Sequence, residues 1–252
     1  MYKEKLIKPA FTGMLVAIGV FLAEFLVIAL PPTASPVIKF SIGYLPIILA
    51  GVFFGPAYGL AAGVVQDVLG FFLFGFPLHG YTFQPGYTLN AALYGVIPAL
   101  LIRTVFRNER KLFYVLNYVA AALLFGLATW FFFDIEAVYS RSLTVDQKTL
   151  LSGFALFAAL GLALFNFLMR KKTGFKYQPQ KIMFAVVVMY VLTSLILTPI
   201  WIYLVTPGYS IWVNLPLRLL KMPIEVTFYV LLLTMLGNTF VKHLAKPEET
   251  AE

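Results

Sequence analysis

Cysteine is absent from the 252 residues, which excludes disulfides, thiolate nucleophiles and thiolate-bound metals. Histidine is nearly absent. His79 and His243 are the only two and stand far apart, so no metal-binding spacing exists. Charge is scarce as well: 12% of residues are Asp, Glu, Lys or Arg, against 61% hydrophobic. Soluble domains carry about twice that charge fraction. With a mean hydropathy of +0.88, the composition is that of an integral membrane protein. Catalytic signatures are missing too. There is no nucleophile elbow, no phosphate-binding loop, no histidine dyad and no paired acids on a loop. Neither an enzyme nor a bound cofactor or metal is expected. Anything moved uphill must draw its energy from a partner or an ion gradient.

What is present is a series of long apolar runs. A span needs roughly 20 apolar residues, and the length holds about eight with short loops, as a single all-α membrane domain over residues 1–252. The first run extends to Leu30; a cleaved secretory signal is the rival reading, but Glu24 lies inside the run and no small-residue cleavage site precedes Pro31–Pro32. Further spans are expected over Phe40–Phe54, Ala57–Phe74, a stretch ending near Ile102 and kinked at Pro98, Phe113–Phe133, Leu150–Met169, Ile182–Val205 and Leu215–Val241. With eight spans, 14 of the 19 basic residues fall on one side, so both termini are predicted to be cytoplasmic. The same bias explains the net charge of +8 without invoking nucleic acid.

The few charges inside apolar runs carry the functional argument. Asn214–Glu225 reads NLPLRLLKMPIE, and spacings of three and four put Arg218, Lys221 and Glu225 on one helix face. Ionisable groups there cost a few kcal/mol each and face a protein interior. In the eight-span layout they converge with Glu24, Asp67 and Asn90 on an outward-facing cavity. Asn214 suits a helix cap and Pro216 the first turn, so the helix end and two cations would attract an anion, with Arg218 able to grip a carboxylate in bidentate fashion. The competing reading is an internal Lys221–Glu225 pair with Arg218 snorkelling to the interface.

Gly55, Gly59, Gly63 and Asp67 recur every four residues, a spacing that lets helix backbones approach in lipid. Asp67 then sits on the packed face, either touching ligand or tying down a neighbouring hydroxyl. Gly13 with Ala17, and Gly19 with Ala23, form similar pairs on the first helix; each is either bundle packing or a docking stripe for another membrane subunit. Aromatic residues gather in the outer segments, mostly as an interfacial belt. Tyr44, Tyr87 and Trp212 are the candidates for stacking on a flat ligand.

The stretches GYLPIILAGVFFGPAYGLAAGVVQDVLG (Gly43–Gly70), FQPGYTLNAALYGVIPALLIR (Phe83–Arg103) and NLPLRLLKMPIEV (Asn214–Val226) resemble the substrate-binding S components of energy-coupling-factor (ECF) vitamin transporters, folate-type group. The three stretches stand in the family's order along the chain. It implies a protein in a bacterial plasma membrane that binds a vitamin from outside without chemistry. Delivery inward then depends on a transmembrane coupling subunit and two ATPase subunits. It also implies that Gly13 and Ala17 lie on the helix that meets the coupling subunit, and that Arg218 and Lys221 match the basic motif that holds the ligand's carboxylates. The family has six spans. Residues 1–112 would then supply its first four helices, 113–170 an inserted hairpin, and 181–244 its last two. Glu24 stands where some folate-type members carry a basic residue, and its carboxylate would repel a second ligand carboxylate. A less anionic vitamin such as pantothenate is therefore the alternative. A polytopic enzyme acting on lipid, with Asp67, Glu24 and Glu225 as acid and base groups, is a different class; so is an assembly factor.

Overall fold

The computed structural model describes residues 2–30, 38–79, 82–103, 145–168, 179–205 and 225–237, together with 113, 115–119, 121–123, 126, 129, 218 and 221–222. Helix α1 (Tyr2–Phe25) is the first apolar run, but it stops short of Leu30. Beyond it, β1 (Val27–Leu30) pairs antiparallel with β2 (Ile38–Ser41), with Val27 opposite Ser41 and Leu30 opposite Ile38. The cause is local. Val27, Ile28, Ile38 and Phe40 favour extended backbone, and Pro31–Pro32 cannot continue a helix. A two-stranded ribbon thus separates α1 from the next helix, at the boundary where two spans were expected to meet.

The expected second span is also shorter than its apolar run. Helix α2 (Leu45–Phe54) has 10 residues, with Pro46 in its first turn. Ten residues rise about 15 Å, half of the roughly 30 Å hydrocarbon thickness. Its residues from Leu45 to Val52 are all buried, so protein surrounds this half-length helix. It ends at Gly55, whose φ of +119° suits glycine, and Pro56 opens α3 (Pro56–Gly70) in the next step.

Helix α3 continues through a π-helical segment, Phe71–Gly75, into α4 (Phe76–His79). Then come α5 (Pro85–Arg103), α6 (Val145–Leu168) and α7 (Pro179–Tyr190). A second π-helical segment, Val191–Leu197, joins α7 to α8 (Thr198–Val205). Each π segment ends two residues before a proline, Pro77 or Pro199. A proline ring collides with the carbonyl four residues back, and widening the helix relieves that collision. The last described helix is α9 (Glu225–Gly237); Arg218, Lys221 and Met222 before it are also helical. Of the expected span Phe113–Phe133, every described residue is helical.

Leu6–Phe25, Pro56–Leu78, Pro85–Arg103 and Pro179–Val205 are long and apolar enough to cross a membrane. Their contacts follow the glycine pattern. A Cβ at Gly59 would strike the backbone of Gly95, and one at Gly63 the backbone of Ala91, so α3 and α5 touch main chain to main chain. Gly51 of α2 meets the same Gly95 carbonyl. The core continues through Ile47, Ile48, Met183, Val186, Met189 and Val226, all nearly inaccessible. Large apolar side chains such as Phe72, Phe157 and Phe167 point outward, the arrangement that lipid favours.

Candidate binding site

Polar residues from several elements meet around one cavity of about 160 Å³. Ser41 comes from β2 and Tyr44 from the turn before α2. Tyr87, Asn90 and Tyr94 come from α5, and Ser194 and Thr198 from the π segment and the start of α8. Arg218, Lys221, Glu225 and Tyr229 complete the wall. Of the residues expected at a site, Arg218, Lys221, Glu225, Asn90, Tyr44 and Tyr87 are brought together here.

Lys221 and Glu225 form an ion pair at 2.8 Å, one helical turn apart. Glu225 Oε1 also accepts from the Ser41 backbone N–H at 3.4 Å, and Tyr229 donates its hydroxyl to the Ser41 carbonyl at 2.9 Å. The last helix therefore holds the end of the ribbon against the cavity. Arg218 lies on the cavity wall. Its Nη1 donates to the Ser194 carbonyl at a long 3.4 Å, and its Nε is buried without a hydrogen-bond partner. Tyr44 and Tyr94 stack with centroids 4.3 Å apart and planes 15° from parallel, giving the cavity a flat aromatic wall.

Asn90 is fixed from several directions. Its Nδ2 donates to the Thr198 hydroxyl at 3.0 Å and to the Thr193 carbonyl at 3.5 Å, while its Oδ1 accepts from Trp201 Nε1 at 3.2 Å. Trp201 fits because Gly86 leaves room; a Cβ there would strike the indole ring.

Other expected site residues stand elsewhere. Asp67 is not on the cavity wall; it accepts from the Thr88 hydroxyl at 2.6 Å, extending the line of α3–α5 contacts that Gly59 and Gly63 begin. Glu24, near the end of α1, does not line the cavity either. Trp212 lies outside the described residues. On α1 the two small-residue pairs part company. Gly19 packs against the Gln66 side chain of α3, whereas Gly13 has nothing within 4 Å of a Cβ position and Ala17 is exposed beside it. Among the described residues no group of His, Cys, Asp or Glu is placed to hold a metal.

Sequence reasoning missed Tyr94, Tyr229, Ser194, Thr198 and Ser41. The first two were within reach. Tyr94 lies four residues after Asn90 and Tyr229 four after Glu225, so each extends a polar stripe already recognised by one turn.

With the cavity described, comparison with known proteins is informative. The family model for the ECF transporter substrate-specific component matches residues 8–170, more than half of the chain. The chain belongs to that family. The matched residues of this S component include 113–170, the segment expected to be an insertion. Over 63 residues the S component is 36% identical to the folate transporter FolT of Clostridium novyi (strain NT), covering 25% of this chain and 34% of that one. The match thus spans about a third of that relative's length. A solved structure of FolT bound with folic acid aligns over 92% of both chains, with 22% identity and a TM-score of 0.48.

Proposed function

We propose that this S component binds a folate-like vitamin in the cavity described above and delivers it inward without chemical change. Arg218 carries the reading. A guanidinium N–H buried without a partner costs about 1–3 kcal/mol or more, and an anionic ligand removes that cost by supplying a charge-assisted bond. The Tyr44–Tyr94 wall then offers a face for a pterin or benzoyl ring, and Asn90 and Tyr87 supply polar contacts beside it. The similarity to folate transporters over part of the chain agrees with this choice.

In the same proposal the chain crosses the membrane eight times with both ends in the cytoplasm of a bacterial cell, which the one-sided distribution of basic residues supports. The open face at Gly13 and Ala17 meets a transmembrane coupling subunit, and two ATPase subunits supply the energy. Residues 113–170 form a hairpin between the fourth helix and the last two family helices, at 181–244.

A specific observation favours a second vitamin class. Lys221 is engaged by Glu225, which leaves Arg218 as the cation available to a carboxylate among the described wall residues. One cation suits a singly charged ligand such as pantothenate better than a dicarboxylate. Mass spectrometry of small molecules released from purified, detergent-solubilised protein separates the two. A folate or pterin supports the first reading and pantothenate the second. Recovery of lipid alone, with added folic acid and pantothenate both failing to bind, would sink vitamin binding and leave a lipid-acting enzyme or an assembly factor standing.

A further inference from the structure

The π segment Val191–Leu197 shapes the cavity in a way that neither the charge pattern nor the family assignment supplies. In an α-helix the Ser194 carbonyl would accept from the N–H of Thr198, four residues on. Here that N–H bonds the Thr193 carbonyl instead, five residues back. In the wider π register the donor for Ser194 would be residue 199, which is Pro199 and has no N–H. Ser194's carbonyl is thus left over by its own helix, and the group that reaches it is Arg218 Nη1. Next to it, the Thr193 carbonyl takes the Thr198 hydroxyl at 2.7 Å and Asn90 Nδ2 at 3.5 Å. Two consecutive carbonyls turned out by one bulge therefore hold the cation and the amide on the cavity wall.

We infer that Pro199 and the π segment it terminates are the positioning element of the binding site, presenting the Ser194 and Thr193 carbonyls that aim Arg218 and Asn90 at the ligand. The inference deepens the proposed vitamin binding and rests on it for its affinity consequence, but its structural half stands alone. Pro77, at the end of the other π segment, offers an internal comparison, because residues 71–79 contribute nothing to the cavity wall.

The test is Pro199→Ala, which restores an N–H at residue 199 and lets the helix close on its own carbonyls. The first readout is the rate at which phenylglyoxal modifies Arg218 in ligand-free, detergent-solubilised protein, followed by peptide mass spectrometry. Release of Arg218 from Ser194 should speed modification several-fold; an unchanged rate would overturn the inference. The second readout is folic acid affinity by quenching of intrinsic fluorescence. A loss of about tenfold or more is expected in Pro199→Ala, as for a charged hydrogen-bonding group set out of place, with Pro77→Ala near wild type. Unchanged affinity in Pro199→Ala, or an equal loss in Pro77→Ala, would also overturn it. If wild-type protein fails to bind folic acid while Arg218 is released as expected, the vitamin assignment falls and the positioning role stands.

Discussion

Replacing Arg218 by methionine separates binding from stability, because this arginine contributes little to the fold. Its hydrogen bond to the Ser194 carbonyl is long, at 3.4 Å, and its Nε is buried without a hydrogen-bond partner. Methionine has a similar unbranched stem and no polar atom needing a partner, so it relieves the desolvation of that N–H, about 1–3 kcal/mol. Against this stand the loss of one long hydrogen bond and a Ser194 carbonyl left without its donor, together of about the same size. The balance predicts a melting temperature within a few degrees of wild type. Ligand binding should respond far more strongly. A carboxylate gripped by a guanidinium makes two charge-assisted bonds of about 1.5–3 kcal/mol each, so their loss lowers affinity by a factor of about 100 to 10,000. The assay is titration of the vitamin recovered from wild-type protein into Arg218→Met in detergent, beside a thermal melt of both proteins without ligand. Affinity within threefold of wild type would refute the anion-site argument. A melting temperature lowered by many degrees would show that Arg218 is a structural residue.

Three further outcomes follow from the same geometry. Glu225→Gln removes the carboxylate that pairs with Lys221, and with it one negative charge from the cavity wall, so competition assays should show selection shifting several-fold toward dicarboxylates over monocarboxylates. Gly63→Val drives a side chain into the backbone of Ala91; size-exclusion chromatography should show loss of monodisperse protein, whatever the ligand. Gly13→Leu combined with Ala17→Leu meets open space at Gly13 and an exposed position at Ala17, so binding by the isolated subunit should be unchanged. Uptake of radiolabelled vitamin by cells should fall markedly in that double variant, and undiminished uptake would remove α1 as the docking helix.

Much of the site was legible because lipid makes polar residues conspicuous. Arg218, Lys221, Glu225 and Asn90 stand out in apolar runs, and helical spacing alone puts the first three on one face. The glycine stripe was equally plain, and it placed Asp67 on the α3–α5 contact where Thr88 meets it. Illegible features were those decided by tertiary context. Apolarity does not distinguish a strand from a helix over four residues, so Val27–Leu30 and Phe40–Ser41 of the ribbon fall within the ends of expected spans. Neither does it show that α2 is half a span buried by its neighbours. A proline in an apolar run signals a kink, but nothing in the pattern shows that the helix before Pro77 and Pro199 widens into a π segment while α5 runs through Pro98 as α-helix. Trp212 falls outside the described residues.

The two bonds that join Ser41 to the last helix bridge 184 and 188 positions of the chain. During synthesis the ribbon leaves the ribosome long before Glu225 and Tyr229 exist, so its cavity end must wait in the membrane without those partners. Nascent chains lacking the last helix would hold an open trough and gain no occupant. Until the last helix is made the cavity lacks the wall that Arg218, Lys221, Glu225 and Tyr229 supply, so under the proposed function a bound vitamin marks a chain whose two ends have met. Cells starved of it would keep their newly made copies without the stabilisation that a tight ligand gives.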